Sequence, residues 1–343
     1  MATTALLPET PLSTEDYVSQ IPALHLLMRL GYKYLLPREA AMLRGGRLSE
    51  VLLTDVVAAQ LRQLNVIEFK GEKIPFSEGN IDQAIRALRN VGDDGLLRTN
   101  EKIWQLLRLG KALPQVIDGD AKSFTLRYVD WEHPDRNIFH VTDEFEVAAS
   151  GITESRRPDI VLFVNGIPFA VIECKSPNLP PGKNPVDEAI SQQLRNQRET
   201  EIPRLFHYAQ LLLSVSMNAA SYGAVGTPSK FWSVWQESKL DETSLQRLTN
   251  ESMPQPDADR FFSANDPAFH HRFRGTTPAR ARRWFEAWVA AGHEVNNQDR
   301  TLYALCRPER LLELADRFTV FEAGERKIAR HQQYRCVQLA MSR

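Results

Sequence analysis

The segment RPDIVLFVNGIPFAVIECKSP, residues 157–177, sets an aspartate at the start of one apolar run and a glutamate, a cysteine and a lysine at the end of the next. A charge buried in such a run costs several kcal/mol unless it is paired or bound to a metal. Asp159, Glu173 and Lys175 are therefore either a structural ion cluster or a reactive one. Asn165-Gly166, between the runs, signals a tight hairpin. A two-residue turn pairs Asp159 with Ile172 and leaves Glu173 on the opposite face. A three-residue loop, 165–167, or an equivalent bulge pairs Asp159 with Glu173 instead, and this is the expected register. Opposed side chains then lie about 5 Å apart on one face. Lys175 joins them because strand side chains alternate.

Two carboxylates that close repel, and in isolation one stays protonated. A divalent cation removes the conflict. Mg²⁺ takes oxygen ligands and keeps several waters, so Asp159, Glu173 and the Cys174 backbone carbonyl form one face of its expected shell. Lys175 then sits beside a metal-bound water and a phosphate oxygen, and metal and lysine together suit hydrolysis at phosphorus. The bare D…ExK pattern is short and frequent, and an arbitrary match is usually a structural ion pair. Here it follows Pro158, spans two apolar strands and precedes a glutamine-bearing helix. That context favours a metal-dependent nuclease.

The surrounding elements must hold these groups. Helical periodicity is expected from Ser49, as N-cap, with Leu53, Val57, Leu61 and Leu64 on one face; from Asn80 or Asp82; and from Thr99 and Asn100 to Gly110. Glu50 opens the first of these, as a further carboxylate of the site or as an acid drawn to a helix first turn. SFTLRYVDW (123–131) and NIFHVTDEFEV (137–147) alternate apolar with polar and read as a hairpin closed by EHPDR. DIVLFV and FAVIEC are apolar at nearly every position, the mark of strands covered on both faces. VDEAISQQLRNQ (186–197) returns to a helix with Val186, Ile190 and Leu194 on one side, and QLLLSVSM and SYGAVGT give two more strands. This order predicts an α/β sandwich with a mixed central sheet. After FWSVW (231–235), residues 236–277 are rich in Ser, Asn, Asp and Pro and read as a linker or connecting loop. ARARRWFEAWVAA and PERLLELADRF are expected helices, the second with Pro308 in its first turn.

The 343 residues allow two domains, or one large one with appendages. A net charge of −1 excludes a global basic field, so any nucleic-acid contact must come from a local patch. Cys174, Cys306 and Cys336 make no disulfide framework or zinc knuckle and suit a reducing cytosol. His140 and His207 stand alone in apolar segments and read as packing residues. Residues 1–22 read as a polar arm without a signal sequence, and no uninterrupted apolar run reaches the roughly 18–20 residues of a membrane span. The expected location is the cytoplasm. No G-x-x-x-x-G-K-[ST] phosphate loop occurs.

The 157–177 segment resembles the PD-(D/E)xK nuclease signature as it appears in the restriction (R, motor) subunit of type I restriction–modification enzymes. LLRTNEKIWQLLRLGKAL, DGDAKSFTLRYVDW, NIFHVTDEFEV, FWSVW and TLYALCRPERLLELADRFTVFEAGERKIARHQQY are similar to the same subunit. The resemblance covers nearly the whole chain and is strongest over 97–235. It implies a restriction-endonuclease-like core at 46–235, an N-terminal arm and helices at 1–45, and at 236–343 a mainly helical connector and the start of a RecA-like motor whose phosphate loop is missing, as in an N-terminal fragment of a longer subunit or a naturally shortened one. It implies Mg²⁺-dependent cleavage of double-stranded foreign DNA, coupled in a full-length subunit to ATP-driven translocation. The implied partners are methyltransferase (M) and specificity (S) subunits.

By the same resemblance Asp159, Glu173 and Lys175 are the catalytic set. Gln192 matches the glutamine of the family's Q-x-x-x-Y motif, while Asn196 stands where the tyrosine would be; Gln193…Gln197 is the alternative register. Arg330-His331-Gln332 resembles an adenine-contacting motif, with Gln332 either that contact or a surface helix end. A non-catalytic DNA-gripping module and a standalone nuclease of the same fold are the competing functions. The intact Asp159/Glu173/Lys175 set speaks against the first, and the motor-like tail against the second.

Overall fold

In a computed structural model that describes residues 19–237, 239–263 and 276–342, the two apolar runs are neighbouring strands in the middle of a mixed sheet. Most of the polar arm expected at 1–22 lies outside the described residues. Ile21–Arg29 (α1) leads to a two-residue strand, Lys33–Tyr34 (β1), and to Pro37–Leu43 (α2). Then come Thr54–Leu64 (α3), the hairpin Val66–Phe69 (β2) and Glu72–Pro75 (β3), and helices Glu78–Arg89 (α4) and Leu96–Leu109 (α5). Lys111–Ile117 (β4) and Asp120–Leu126 (β5) form a second hairpin. Phe139–Asp143 (β6), two short strands at Val147–Ala148 (β7) and Ser155–Arg156 (β8), and the paired runs Ile160–Val164 (β9) and Ile167–Cys174 (β10) follow. Pro185–Asn196 (α6) and Pro203–Tyr208 (α7) precede Leu211–Ser216 (β11) and Ala219–Gly223 (β12). The sheet order is β1-β6-β9-β10-β11-β12, with β1–β6 and β10–β11 parallel and the other pairs antiparallel.

All residues of β9 and β10 are buried, as their continuous apolar character requires. Their turn is not the three-residue loop. Val164 pairs with Ile167, and Asn165 and Gly166 carry φ of 53° and 82°, both positive as a two-residue I′ turn demands. The bulge alternative is what occurs: the register shifts between Pro168 and Ala170, so that Phe169 is the extra residue and Ile172 faces Ile160. The bulged Phe169 carbonyl accepts a 2.7 Å hydrogen bond from the Gln210 amide. Asn165 locks the turn: its Nδ2 donates to the Tyr128 carbonyl and to Asn137 Oδ1, and its Oδ1 accepts from the Ile138 amide.

The expected hairpin between 123–131 and 137–147 does not form. Instead β5 pairs back onto β4 across Asp118-Gly119, both at positive φ, and β6 enters the central sheet between β1 and β9. Alternation identified the strands but not their partners; the Asp-Gly turn decided the pairing. Ser49 is not a helix cap either. Glu50 Oε1 accepts from the Val51 and Leu52 amides, the Leu53 amide goes to the Gly166 carbonyl, and the helix begins only at Thr54. The second helix starts at Glu78, capped by Ser77, and the third at Leu96, three residues before Thr99; it ends at Gly110 as expected.

Residues 236–277 are not a plain linker, since Glu242–Asn250 (α8) and Gln255–Phe261 (α9) lie in them. Pro278–Ala291 (α10) and Pro308–Arg317 (α12) are the expected amphipathic helices, separated by Asn297–Cys306 (α11). A hairpin of Thr319–Glu322 (β13) and Glu325–Ile328 (β14) and a last helix, His331–Met341 (α13), complete the described chain. One hydrophobic core takes in the sheet strands together with Phe261, Phe285, Leu302 and Leu312. Among the described residues no helix is long and apolar enough to cross a membrane.

At Gly166 a Cβ would lie 2.7 Å from the Leu53 carbonyl oxygen and 3.0 Å from the Val57 amide, on top of the strain of a positive φ. Gly166→Ala should therefore lower stability by about 2 kcal/mol or more, read as a urea midpoint shift at unchanged slope. A wild-type midpoint would show that this turn does not set the hairpin.

Candidate active site

The bulge at Phe169 determines which residues meet at the far end of the hairpin. The last paired residues are Ile172 and Ile160, and the same register continued by one residue sets Glu173 opposite Asp159, just ahead of β9. Asp159 Oδ2 accepts a 2.7 Å hydrogen bond from the Cys174 amide, tying the β9 entrance to the β10 exit. The Asp159 carbonyl is held by the Glu144 amide and by Gln20 Nε2. Lys175 Nζ donates to the Cys174 carbonyl at 2.7 Å and lies 3.6 Å from Asp159 Oδ2. The three residues singled out by spacing are thus in one place, at the end of two central strands.

Glu173 is fully buried, and α6 covers it. Gln192 Nε2 donates to Glu173 Oε2 at 2.7 Å. Gln193 serves the sheet itself: its Nε2 bridges the Val171 and Leu213 carbonyls on β10 and β11. Gln197 continues inward, donating to the Gln193 carbonyl and accepting from the Gly226 amide. Asn196 is buried as well. The helix therefore presents a polar stripe to the sheet, in which Gln192 addresses the carboxylate and Gln193 the backbone.

The other candidates have partners of their own or lie at the surface. Glu50 is buried in a basic setting, with Oε2 at 2.8 Å from Arg89 Nε and Oε1 at 3.8 Å from Arg204. Gln332 is exposed in the first turn of α13. His140 sits in β6, where burial pushes its pKa down to about 4, and burial lowers His207 too; neither is a ready base near neutral pH. Two neighbours escaped sequence reasoning. Gln20 supports Asp159 from more than a hundred residues away, and no local pattern points to it. Ser214 faces Glu173 across the parallel β10–β11 register, which no local pattern fixes.

The donor set decides which cation would fit. Among the described residues no group of three or more His, Cys, Asp and Glu side chains gathers as a metal cluster. A site here would rest on the Asp159 and Glu173 carboxylates and the Cys174 carbonyl. These are hard oxygen donors, which suit Mg²⁺ and not a thiolate- or imidazole-seeking metal. The Lys175 ammonium already rests against two of those oxygens, so the pocket accommodates positive charge.

A family model described as the N terminus of the type I restriction enzyme R protein matches residues 13–231. The type I restriction enzyme HindI endonuclease subunit of Haemophilus influenzae is 28% identical over 230 residues, which make up 65% of this chain and 20% of that protein. An endonuclease subunit assigned to the type I restriction enzyme MjaIXP of Methanocaldococcus jannaschii is 26% identical over 236 residues, 66% of this chain and 21% of that protein. The matched region is about a fifth of the length of these relatives.

Replacing Gln193 with alanine strands two buried backbone carbonyls and should cost about 1–3 kcal/mol of stability. Gln192→Ala leaves the fully buried Glu173 carboxylate one hydrogen bond short and should cost a similar amount. Thermal unfolding of both variants checks this, and a wild-type midpoint in either would remove that glutamine from the polar stripe.

Proposed function

The chain belongs to the family of type I restriction enzyme R protein N termini, and on that premise we propose that it is the nuclease part of such a subunit, cutting double-stranded DNA with Mg²⁺. The observation that carries the proposal is the bulged register that sets Asp159 against Glu173 with Lys175 at the same strand end. In this proposal the core is of the PD-(D/E)xK type, with residues 46–235 as the nuclease unit and 236–343 as the connector toward an ATP-driven motor in a longer subunit. Partner methyltransferase and specificity subunits, and a cytoplasmic setting, belong to the same reading.

The residues divide the work by chemistry. Asp159 and Glu173 supply carboxylate oxygens, and the amides of Cys174 and Gln192 orient them. A bound Mg²⁺ would polarise the scissile phosphate and lower the pKa of an attacking water. Lys175 contributes a fixed ammonium to the charge that develops on phosphorus. Burial of the carboxylates keeps bulk water from screening these charges. DNA phosphates outside the site must be met locally. Arg280 and Arg283 on α10 are exposed for such contacts, whereas Arg282 is engaged by Glu286 and Asp259.

Plasmid cleavage by the chain with Mg²⁺, with and without partner subunits and ATP, tests the proposal. Asp159→Ala, Glu173→Ala and Lys175→Ala should each reduce cleavage at least about a thousandfold, on the order of 4 kcal/mol of barrier, with unchanged far-UV circular dichroism. Wild-type nicking in any of the three would remove that residue from the site.

The contact of Lys175 with the Cys174 carbonyl generates a sharper expectation. Its ammonium competes with a cation for the same oxygens, so Lys175→Met should lose cleavage yet bind Mn²⁺ more tightly than wild type. The expected gain is about three- to tenfold, up to about 1.4 kcal/mol, and calorimetric titration reads it directly. Weaker binding would show that Lys175 helps hold the cation.

A further inference from the structure

We propose that Ser214 is a positioning residue of the cation site, an inference that rests on the nuclease reading above. Strand β11 runs parallel to β10 with Ser214 opposite Glu173, so the two side chains leave the sheet on the same face. Asp159 flanks Glu173 on its other side. Three adjacent strands therefore set Asp159, Glu173 and Ser214 in one row across the sheet.

Ser214 is fully buried, and among the described residues its Oγ finds no hydrogen-bond partner. A buried hydroxyl without a partner costs about 1–3 kcal/mol, and alanine would fill the position without that penalty. The rest of β11 follows the apolar rule: Leu211, Leu212, Leu213 and Val215. Hydroxyls interrupt it only at 214 and 216, the face that Glu173 and Lys175 also occupy. Packing accounts for the leucines and valine but not for these serines.

Function accounts for Ser214. A hydroxyl both donates and accepts. From the flank of Glu173, with Gln192 bonded to the same carboxylate at 2.7 Å, it is placed to donate to Glu173, which would hold the cation. Such partners orient a ligating carboxylate and tune its affinity. Ser216, next to Lys175 and also without a partner for its Oγ among the described residues, lines an open cavity of about 460 Å³ with Pro177, Asn184 and Asn218. It is the matched control, with the same strand, face and chemistry, but one row away from the carboxylates.

The test is Mn²⁺ titration of the full chain by calorimetry, alongside thermal unfolding, for wild type, Glu173→Gln, Ser214→Ala and Ser216→Ala. Ser214→Ala should weaken Mn²⁺ binding about tenfold while its melting temperature stays level or rises. Ser216→Ala should bind as wild type does, and Glu173→Gln should abolish binding. Wild-type affinity in Ser214→Ala, with Glu173→Gln inactive in binding, overturns the role of Ser214 and leaves the site intact. An equal loss in Ser216→Ala also overturns it, because the effect would not be specific to the row of Glu173. Absence of Mn²⁺ binding by the wild-type chain, or undiminished binding by Glu173→Gln, overturns the cation site itself and the inference with it.

Discussion

Everything at the candidate site depends on one extra residue in one strand. A two-residue turn at Asn165-Gly166 alone would set Asp159 against Ile172 and send Glu173 to the opposite face of the sheet. The bulge at Phe169 restores the opposition. It is held from outside the hairpin, because Gln210 captures the Phe169 carbonyl. Gln210 is itself fixed by Arg326, whose guanidinium reaches the Gln210 carbonyl and Oε1 and the Ala209 carbonyl. Among the described residues Arg326 has only neutral acceptors in its buried position, and burial lowers its pKa to about 9. A cation buried among neutral acceptors is costly, and what it secures is the segment that fixes the bulge. The C-terminal hairpin thereby reaches the site that it never touches.

The second constraint is a carboxylate at zero exposure in a central strand. An apolar helix over Glu173 would make its charge prohibitive. Helix α6 resolves this with a polar inner stripe: Gln192 donates to Glu173, Gln193 satisfies strand carbonyls, and Gln197 receives the Gly226 amide. The apolar contacts of this helix are accordingly few, with Val186, Ala189 and Ile190 buried and Leu194 only half-buried. The helix is shaped by the site more than by the core, and this is why its periodicity is weaker than that of α12.

What the sequence revealed follows the range of the interactions involved. The β9 and β10 runs and their Asn-Gly turn were legible because burial on both faces and a positive-φ pair are local facts. The opposition of Asp159 and Glu173 was legible only as one of two registers, since the arbiter, Gln210, lies some forty residues on. The β4–β5 hairpin was missed although Asp118-Gly119 announced it, because the alternating segment after it invited a different partner. Helices α8 and α9 were hidden by composition: the Asp and Pro that suggested a linker act as caps and first-turn residues, as Asp241 does for the Ser244 amide. Gln20 and Ser214 owe their places to tertiary and parallel pairing, which leave no periodic trace.

Helix α1 and its neighbours carry a consequence for how the chain is made. Ser19 is bonded to Gln298, 279 residues later, and the Tyr32 hydroxyl to the Cys306 carbonyl, 274 residues later. At ribosomal rates of about 5–20 residues per second, these two partners arrive roughly a quarter of a minute to a minute after the residues they bond. Helix α1 also packs against β6 and α8, which are made earlier, but until α11 emerges the cover over Leu24, Leu26 and Leu27, all fully buried at the end, is incomplete. Closure of so long a loop must wait for α11, so α1 completes its docking late. A nascent chain paused before residue 297 would leave part of an apolar helix open to chaperones while the strands that carry the carboxylates had already emerged behind it.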